Sequence, residues 1–330
     1  MKKRDLALIL AGAAGAAIAA KMILRKPAAE WDAEQVAHAA NSHFTYIDGM
    51  RVHFQEFGSE SDPTVLLIHG YTASTYVWRS TAPLLAAAGF RVLAIDLIGF
   101  GYSDKPGGFE YTIGSQADIV VRFLDRLGIG QATIVGSSYG GAVAASAALD
   151  HPERVAKLIL VGAVINDEAK EHILMRMAAL PLIGELLTPF VLDSRSLTKR
   201  RMYTSFDGSG HGLIDDERVN SVLRPLAAAD AHRSVLATAR NWHADRIEDD
   251  LGYIQQPTLI IWGDNDRVIR IENGYKLHSS VLHSKFVVIR NCGHIPQEEH
   301  PRIFTDLMIG FIKDPRAGIR GEDLILPEAQ

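Results

Sequence analysis

"IVGSSYGGAVAA" (134–145) runs from an apolar, β-branched stretch into a stretch of small residues through two serines and three glycines. The pattern Gly136-Ser137-Ser138-Tyr139-Gly140 is G-x-S-x-G between a strand-like and a helix-like segment. A residue at the apex of so sharp a turn sits in a strained backbone conformation. Side chains two positions before and after it would collide, so Gly136 and Gly140 supply the clearance. In this register Ser138 is the candidate nucleophile and Ser137 its neighbour. The helix that begins behind it brings the Tyr139 N–H and the positive end of its dipole to the point where an oxyanion would form.

Outward from this turn the chain alternates short apolar runs with amphipathic or small-residue stretches. Strands are expected at "TVLLIHG" (64–70), "RVLAID" (91–96), "ATIVG" (132–136), "KLILVGA" (157–163), "PTLIIWG" (257–263) and "KFVVIRN" (285–291). Helices are expected near 75–88, 114–127, 139–149, 271–281 and 296–313. Such alternation means βαβ units and a mainly parallel sheet. "FTYIDGMRVHFQEFG" (44–58) reads as a hairpin about Asp48-Gly49, a pair suited to a type I′ turn, and supplies an antiparallel edge. Between 165 and 245 the rhythm stops. Helix-like segments there are broken by Pro181, Pro189 and Pro225, with no convincing strand. This block reads as a helical cap inserted over the C-terminal edge of the sheet, where open α/β sheets place their ligand crevices. The expected division is a hydrophobic N-terminal segment (1–26), a polar linker (27–43), the core (44–164 and 246–313), the cap (165–245) and a peripheral tail (314–330).

Composition removes several function classes. The net charge is −5 and no basic cluster lies beyond the first 26 residues, which argues against a nucleic-acid partner. The single cysteine, Cys292, forbids an internal disulfide framework. No HExxH, CxxC or EF-hand pattern occurs, so no metal is expected. The glycine pair in "GFGYSD" (99–104) lacks the third glycine of a dinucleotide fingerprint, and no cofactor is expected. At the N-terminus, "MKKRD" precedes fifteen uncharged, mostly small residues (6–20), then Lys21, Arg25 and Lys26. With Lys21 snorkelling, residues 6–24 approach the length of a membrane span. The segment reads as an uncleaved membrane anchor. A cleaved secretory signal, giving a periplasmic or secreted protein, and an ordinary N-terminal helix in a cytoplasmic one are the alternatives.

A serine nucleophile needs a base, and the base needs a group that orients it and stabilises its cation. "WGDNDRV" (262–268) offers acids directly after one expected strand, and "NCGHIPQEEHP" (291–301) offers His294 directly after the next. Both loops lie at the same sheet edge as Ser138. His69 ends a strand before the nucleophile, and His69-Gly70 suits the other half of an oxyanion hole. There the Tyr71 N–H would donate, and Gly70 would allow close approach.

Over roughly 44–313 the chain resembles the cap-bearing serine hydrolases of the α/β-hydrolase superfamily, both esterases and lipases and the hydrolases of meta-cleavage products. The resemblance is carried by "LLIHGYTASTYVW" (66–78), "AIDLIGFGYSDKP" (94–106), "VGSSYGGAVA" (135–144), "IIWGDNDRVI" (260–269) and "NCGHIPQEEHP" (291–301). It implies an α/β fold with a mainly parallel eight-stranded sheet, helices on both faces and an inserted cap. The family's G-x-x-D falls on Gly263 to Asp266, which makes Asp266 rather than Asp264 the triad acid. Its G-H-x-P-x-x-E-x-P falls on Gly293 to Pro301, which keeps His294 as base. "D-x-x-G-x-G-x-S-D" (Asp96 to Asp104) also recurs in haloalkane dehalogenases and epoxide hydrolases, but those carry aspartate where this chain has Ser138.

The expectation is a Ser138-His294-Asp266 hydrolase acting on a carboxylic ester, with a lipid-like or other small-molecule acyl substrate. The aliphatic cap segment 173–192, including Met175 and Met177, would either line the pocket or pack on the sheet. The alternative is C–C bond hydrolysis of a diketo acid, for which Arg176, Arg201 or Arg224 would meet a carboxylate. A non-catalytic binding protein of this fold is the third reading, against which all three triad members stand.

Overall fold

The computed structural model describes residues 41–168, 180–228 and 230–315, together with the backbone of Leu324–Leu326. The N-terminal segment 1–26, and with it the anchor 6–24, lies outside the described residues, as do Met175, Arg176 and Met177. No helix among the described residues is long and apolar enough to cross a membrane.

The hairpin pairs β1 (Ser42–Ile47) with β2 (Met50–Phe57), antiparallel. Asp48 and Gly49 carry φ of 50° and 79°, the two positive values that a type I′ turn requires. The remaining strands are β3 (Thr64–Ile68), β4 (Arg91–Ile95), β5 (Ala132–Ser137), β6 (Val155–Val161), β7 (Thr258–Gly263), β8 (Ser284–Ile289) and β9 (Leu324–Leu326). Their order is β1-β2-β4-β3-β5-β6-β7-β8-β9, parallel from β4 to β9. The eight strands implied by the resemblance thus gain a ninth from the tail expected to be peripheral. "LIL" is too short to read as a strand from its own pattern. Its pairing with Val287–Ile289 along the open edge of β8 makes it one.

The parallel strands read as unbroken apolar runs because both faces are covered. In β3, Leu66 and Ile68 enter one core with Val120 and Phe123 of α2 (Ile113–Arg126) and Val143 of α3 (Tyr139–Asp150). Val65 and Leu67 enter the opposite core, with Leu85 of α1 (Thr81–Ala87) and Phe304 and Met308 near the C-terminus. Two expected helices are each split by proline. Thr75–Trp78 is a 3-10 turn, and α1 begins only at Thr81, with Pro83 in its first turn, where a missing N–H is tolerated. Likewise His300, at φ −131° and ψ 59°, leaves helical space because Pro301 follows it.

Between β6 and β7 the described residues form α4 (Ile183–Leu192), α5 (Arg195–Ser205), α6 (Asp216–Leu226), α7 (Ala231–Arg240) and α8 (Asp245–Asp250), and no strand. Ser194 caps α5 through the Leu197 N–H, and Asp215 caps α6 through the Arg218 N–H. Met202, Phe206, Ile214 and Val219 close a small core of their own, against which Ile295 packs. Downstream run α9 (Ile271–Ser280), α10 (Pro296–Glu299) and α11 (Pro301–Lys313).

Candidate active site

Ser138 stands between β5 and α3 at φ 55° and ψ −118°, outside the regions that ordinary residues occupy. The strain is held by three backbone hydrogen bonds. Its N–H donates to Val161 O (2.9 Å), and its carbonyl accepts from Gly141 N (2.9 Å) and Val164 N (3.1 Å). A Cβ at Gly136 would lie 2.2 Å from Gly140 O, and one at Gly140 2.5 Å from the Ile68 and His69 carbonyls. The two glycines are therefore the condition for the turn. Tyr139 is the first residue of α3, so its N–H has no acceptor within the helix. Across from it, a Cβ at Gly70 would meet Ser138 Cβ at 3.1 Å. The Gly70-Tyr71 backbone runs directly beside Ser138.

Asp266 lies in the loop after β7 and His294 in the loop after β8. His294 Nδ1 and Asp266 Oδ2 are 2.7 Å apart, and both side chains are buried. The other carboxylate oxygen accepts from Val268 N (2.8 Å) and Ile269 N (2.9 Å), so both oxygens of Asp266 are engaged. Asp264 does something else. Exposed, it accepts the Cys292 N–H (3.2 Å) and ties the two loops together. No hydrogen bond joins the Ser138 hydroxyl to His294 among the described residues. Such contacts tighten in the substrate complex.

Three supports for this geometry have no distinctive signal in the sequence. Gly162, at φ 48°, lets its Cα lie under the pair, since a Cβ there would be 3.1 Å from His294 Nδ1 and 3.3 Å from Asp266 Oδ2. The His294 N–H donates to Ser205 O (2.7 Å), which fastens the His294 loop to the end of cap helix α5. Gln297 Nε2 donates to the Ser137 hydroxyl (3.1 Å) and links that loop to the elbow. Glu299 fills the acidic position of the G-H-x-P-x-x-E-x-P pattern, and its work here is structural. It accepts the Gly293 N–H (2.9 Å) and the Asp207 N–H (2.7 Å), and burial pushes its pKa up to about 7.

His69 is buried, and burial lowers its pKa. As a neutral ring it accepts the Leu97 N–H at Nε2 (3.1 Å) and donates from Nδ1 to Gly70 O (2.7 Å). The "DLIGFGYSD" loop is also architectural. Asp96 accepts from His53 Nδ1 (2.7 Å), Thr75 N (2.7 Å) and Tyr102 N (2.9 Å), and a Cβ at Gly101 would overlap its carboxylate. Tyr71, Phe100, Tyr139 and Trp242 form an aromatic cluster beside the serine, with Tyr139 and Trp242 ring centroids 4.9 Å apart. Tyr71 Oη donates to Val235 O (2.7 Å) on α7, which docks the cap, and burial pushes the phenol pKa far up. Among the described residues, no group of His, Cys, Asp or Glu could hold a metal ion.

A strained serine between strand and helix, followed in the chain by a carboxylate–histidine couple from the ends of β7 and β8, is the order of an α/β-hydrolase. Residues 63–301 match the family described as alpha/beta hydrolase fold. The chain belongs to that family. This alpha/beta hydrolase is 30% identical over 297 residues to a 2-hydroxy-6-oxononadienedioate/2-hydroxy-6-oxononatrienedioate hydrolase of Klebsiella pneumoniae, covering 83% of this chain and 96% of that one. Among solved structures it is similar to a mutant of the meta-cleavage product hydrolase CumD (26% identity, TM-score 0.70, 82% of this chain and 98% of that one). It is also similar to a membrane phospholipase A described as a bacterial virulence factor (27% identity, TM-score 0.66). That match covers 96% of this chain and 100% of the other. The alpha/beta hydrolase is an enzyme, a hydrolase.

Proposed function

We propose that this hydrolase cleaves carboxylic esters with an apolar acyl part through a Ser138 acyl-enzyme. The observation that carries the reading is the buried His294–Asp266 hydrogen bond at the same sheet edge as the strained Ser138. His294 Nε2 takes the Ser138 proton as Oγ bonds to the ester carbonyl carbon. The Tyr71 and Tyr139 N–H groups hold the oxyanion, and one such donor is worth about 3 kcal/mol in comparable sites. Collapse breaks the ester C–O bond, and the alcohol leaves with the proton from His294. Water then gives a proton to His294 and attacks the acyl carbon. The Ser138 Oγ–acyl bond breaks, and the serine recovers its proton as the acid departs.

The apolar, lipid-like character of the substrate is supported by α4. Leu182 just before it, and Ile183, Leu186 and Leu187 within it, are exposed on one side of the cap at 77, 42, 44 and 38%. The likeness to a membrane phospholipase A over 96% of this chain supports the same reading. With it goes membrane anchoring through residues 6–24. The second reading is C–C hydrolysis of a meta-cleavage diketo acid, favoured by the 2-hydroxy-6-oxononadienedioate/2-hydroxy-6-oxononatrienedioate hydrolases at 29–30% identity and by the likeness to the meta-cleavage product hydrolase CumD.

The test is fluorophosphonate labelling of membrane and soluble fractions from cells expressing wild type, Ser137→Ala and Ser138→Ala. The expected result is labelling of the first two, in the membrane fraction, and none of the third. Turnover of ring-fission diketo acids with no turnover of p-nitrophenyl esters would replace the ester reading by the second one.

A further inference from the structure

Cap helix α4 sits in the fold on its smaller residues and turns its large ones outward. Gly184, Thr188 and Leu192, at i, i+4 and i+8, are buried. Ile183, Leu186, Leu187 and Phe190, at i, i+3, i+4 and i+7, are exposed. A helix on the surface of a globular protein ordinarily does the reverse and directs its apolar stripe at the core. No free charge interrupts the stripe. Glu185 is the only ionisable residue of α4, and Arg240 of α7 takes both its oxygens, at 2.8 and 3.0 Å. Leu180 and Leu182 extend the apolar surface ahead of the helix. Six exposed large apolar side chains within eleven residues (180–190) make a patch, not the scattered exposure of any protein surface.

The next helix adds cations. α5 carries Arg195, Lys199, Arg200 and Arg201 and no acid. Arg195 pairs with Asp216, but Lys199 and Arg200 form no ion pair among the described residues. Asp193, between the two helices, lies 2.7 Å from His232. Leu197, Arg200 and Tyr203, three positions apart, share the outer face of α5 and are exposed, and Lys199 Nζ lies 5.9 Å from the Tyr203 ring. Aliphatic side chains beside a tyrosine and unpaired cations are the composition of a surface at the boundary of water and lipid.

We propose that the outer faces of α4 and α5 dock on an anionic lipid bilayer, the α4 side chains entering the acyl boundary and Lys199 and Arg200 meeting the headgroups. The proposal rests on the anchoring reading above and extends it from the N-terminal segment to the cap. Sixteen residues (25–40) separate the expected anchor from the first described residue, and they reach at most roughly 55 Å. A face tethered that near a bilayer docks at low intrinsic affinity, because the tether supplies the effective concentration. A second copy meeting this face about a two-fold axis would bring the cations of both copies to one rim, whereas lipid phosphates neutralise them. α5 ends at Ser205, whose carbonyl holds the His294 N–H, so a docked cap brings the edge of the sheet that bears Ser138 to the bilayer surface.

The test uses the full chain in phosphatidylcholine vesicles with about 25% phosphatidylglycerol, an anionic surface of the kind that attracts basic segments. Leu186→Cys and, as a reference, Leu282→Cys are each labelled with nitrobenzoxadiazole, the native Cys292 being buried. Leu282 is 83% exposed and stands just before β8, at the sheet edge opposite the site. Lipids with a doxyl group near the headgroup should quench the label at position 186 roughly twofold or more and leave the one at 282 unchanged. Adding Lys199→Glu and Arg200→Glu should lower the docked-to-free ratio roughly fivefold per cation. Thermal unfolding verifies that each labelled chain is folded. Equal quenching at both positions in a chain that sediments with the vesicles would overturn the docking face and leave the anchor intact. A label at 186 that shifts to the blue but escapes the doxyl lipids would overturn the bilayer as occupant and give the face to a second copy or to the N-terminal segment. Undiminished quenching after charge reversal would overturn the role of Lys199 and Arg200. A folded chain that stays in solution would overturn the anchoring reading, and the docking with it.

Discussion

Replacing Gly162 by alanine tests whether His294 must sit where it does. The added methyl would lie 3.1 Å from His294 Nδ1, 3.2 Å from Cε1 and 3.3 Å from Asp266 Oδ2, where ordinary contact begins at 3.4 Å. Neither partner is a free end. Asp266 is held by two backbone N–H groups, and the His294 N–H is held by Ser205 O. The ring must therefore retreat by a few tenths of an ångström and carry Nε2 with it. Because misplacement by about 1 Å costs on the order of 100-fold, this shift should lower kcat roughly 10-fold. Stability should fall as well, because alanine at φ 48° costs about 1–2 kcal/mol, or about 1–3 °C in Tm for a chain of this size. The assay is p-nitrophenyl butyrate turnover per fluorophosphonate-titratable site, with thermal unfolding measured on the same sample. A stably folded Gly162→Ala enzyme with kcat within twofold of wild type would refute the reasoning, since the base would then tolerate displacement or lie elsewhere.

Two further outcomes follow from the same geometry. Asp266→Asn should lower kcat by about 10⁴-fold, as loss of the orienting carboxylate does in other triads, while Asp264→Asn should leave it within about threefold. Comparable loss in both would mean that the loop tie made by Asp264 matters as much as the pairing of Asp266. Glu299 bears on pH dependence. Its pKa stands at about 7 in the folded protein against an ordinary 4.5, so the fold binds its proton more tightly than the unfolded chain does. The stability this group contributes is complete below pH 4.5 and is lost as pH rises through about 7. Urea unfolding of wild type relative to Glu299→Gln should therefore show a wild-type disadvantage that grows between pH 5 and 8, on the order of 2 kcal/mol or less after solvent screening. A difference that is flat across that range would place the Glu299 pKa at its ordinary value.

What could be read along the chain is what neighbouring residues decide among themselves. The type I′ hairpin at Asp48-Gly49, the strained turn at Ser138 between Gly136 and Gly140, and the alternation of apolar runs with helices are local consequences of sterics and periodicity. The proline splits at Pro83 and Pro301 are local too, and follow from rules that apply to the sequence directly, although the apolar periodicity across each pair of segments reads as one helix. The choice of Asp266 over Asp264 came from resemblance, because two carboxylates two positions apart in one loop cannot be told apart by composition.

The rest belongs to the folded chain. Asp266 and His294, 28 residues apart, meet because β7 and β8 are neighbours and end at one edge. Ser205 O reaches the His294 backbone because the cap folds back over that edge, and Tyr71 Oη meets Val235 O of α7 for the same reason. Gly162 has no local motif to announce it, since its reason is a ring that arrives from a strand two places along the sheet. Leu324–Leu326 becomes a strand because β8 offers an open row of hydrogen-bonding groups, not through any preference of three residues. By itself the sequence determined the class of fold and the elbow that bears the serine, since both depend on residues a few positions apart. Only the tertiary structure decided which distant side chains share that elbow, because sheet order and cap packing bring them within hydrogen-bond and charge range.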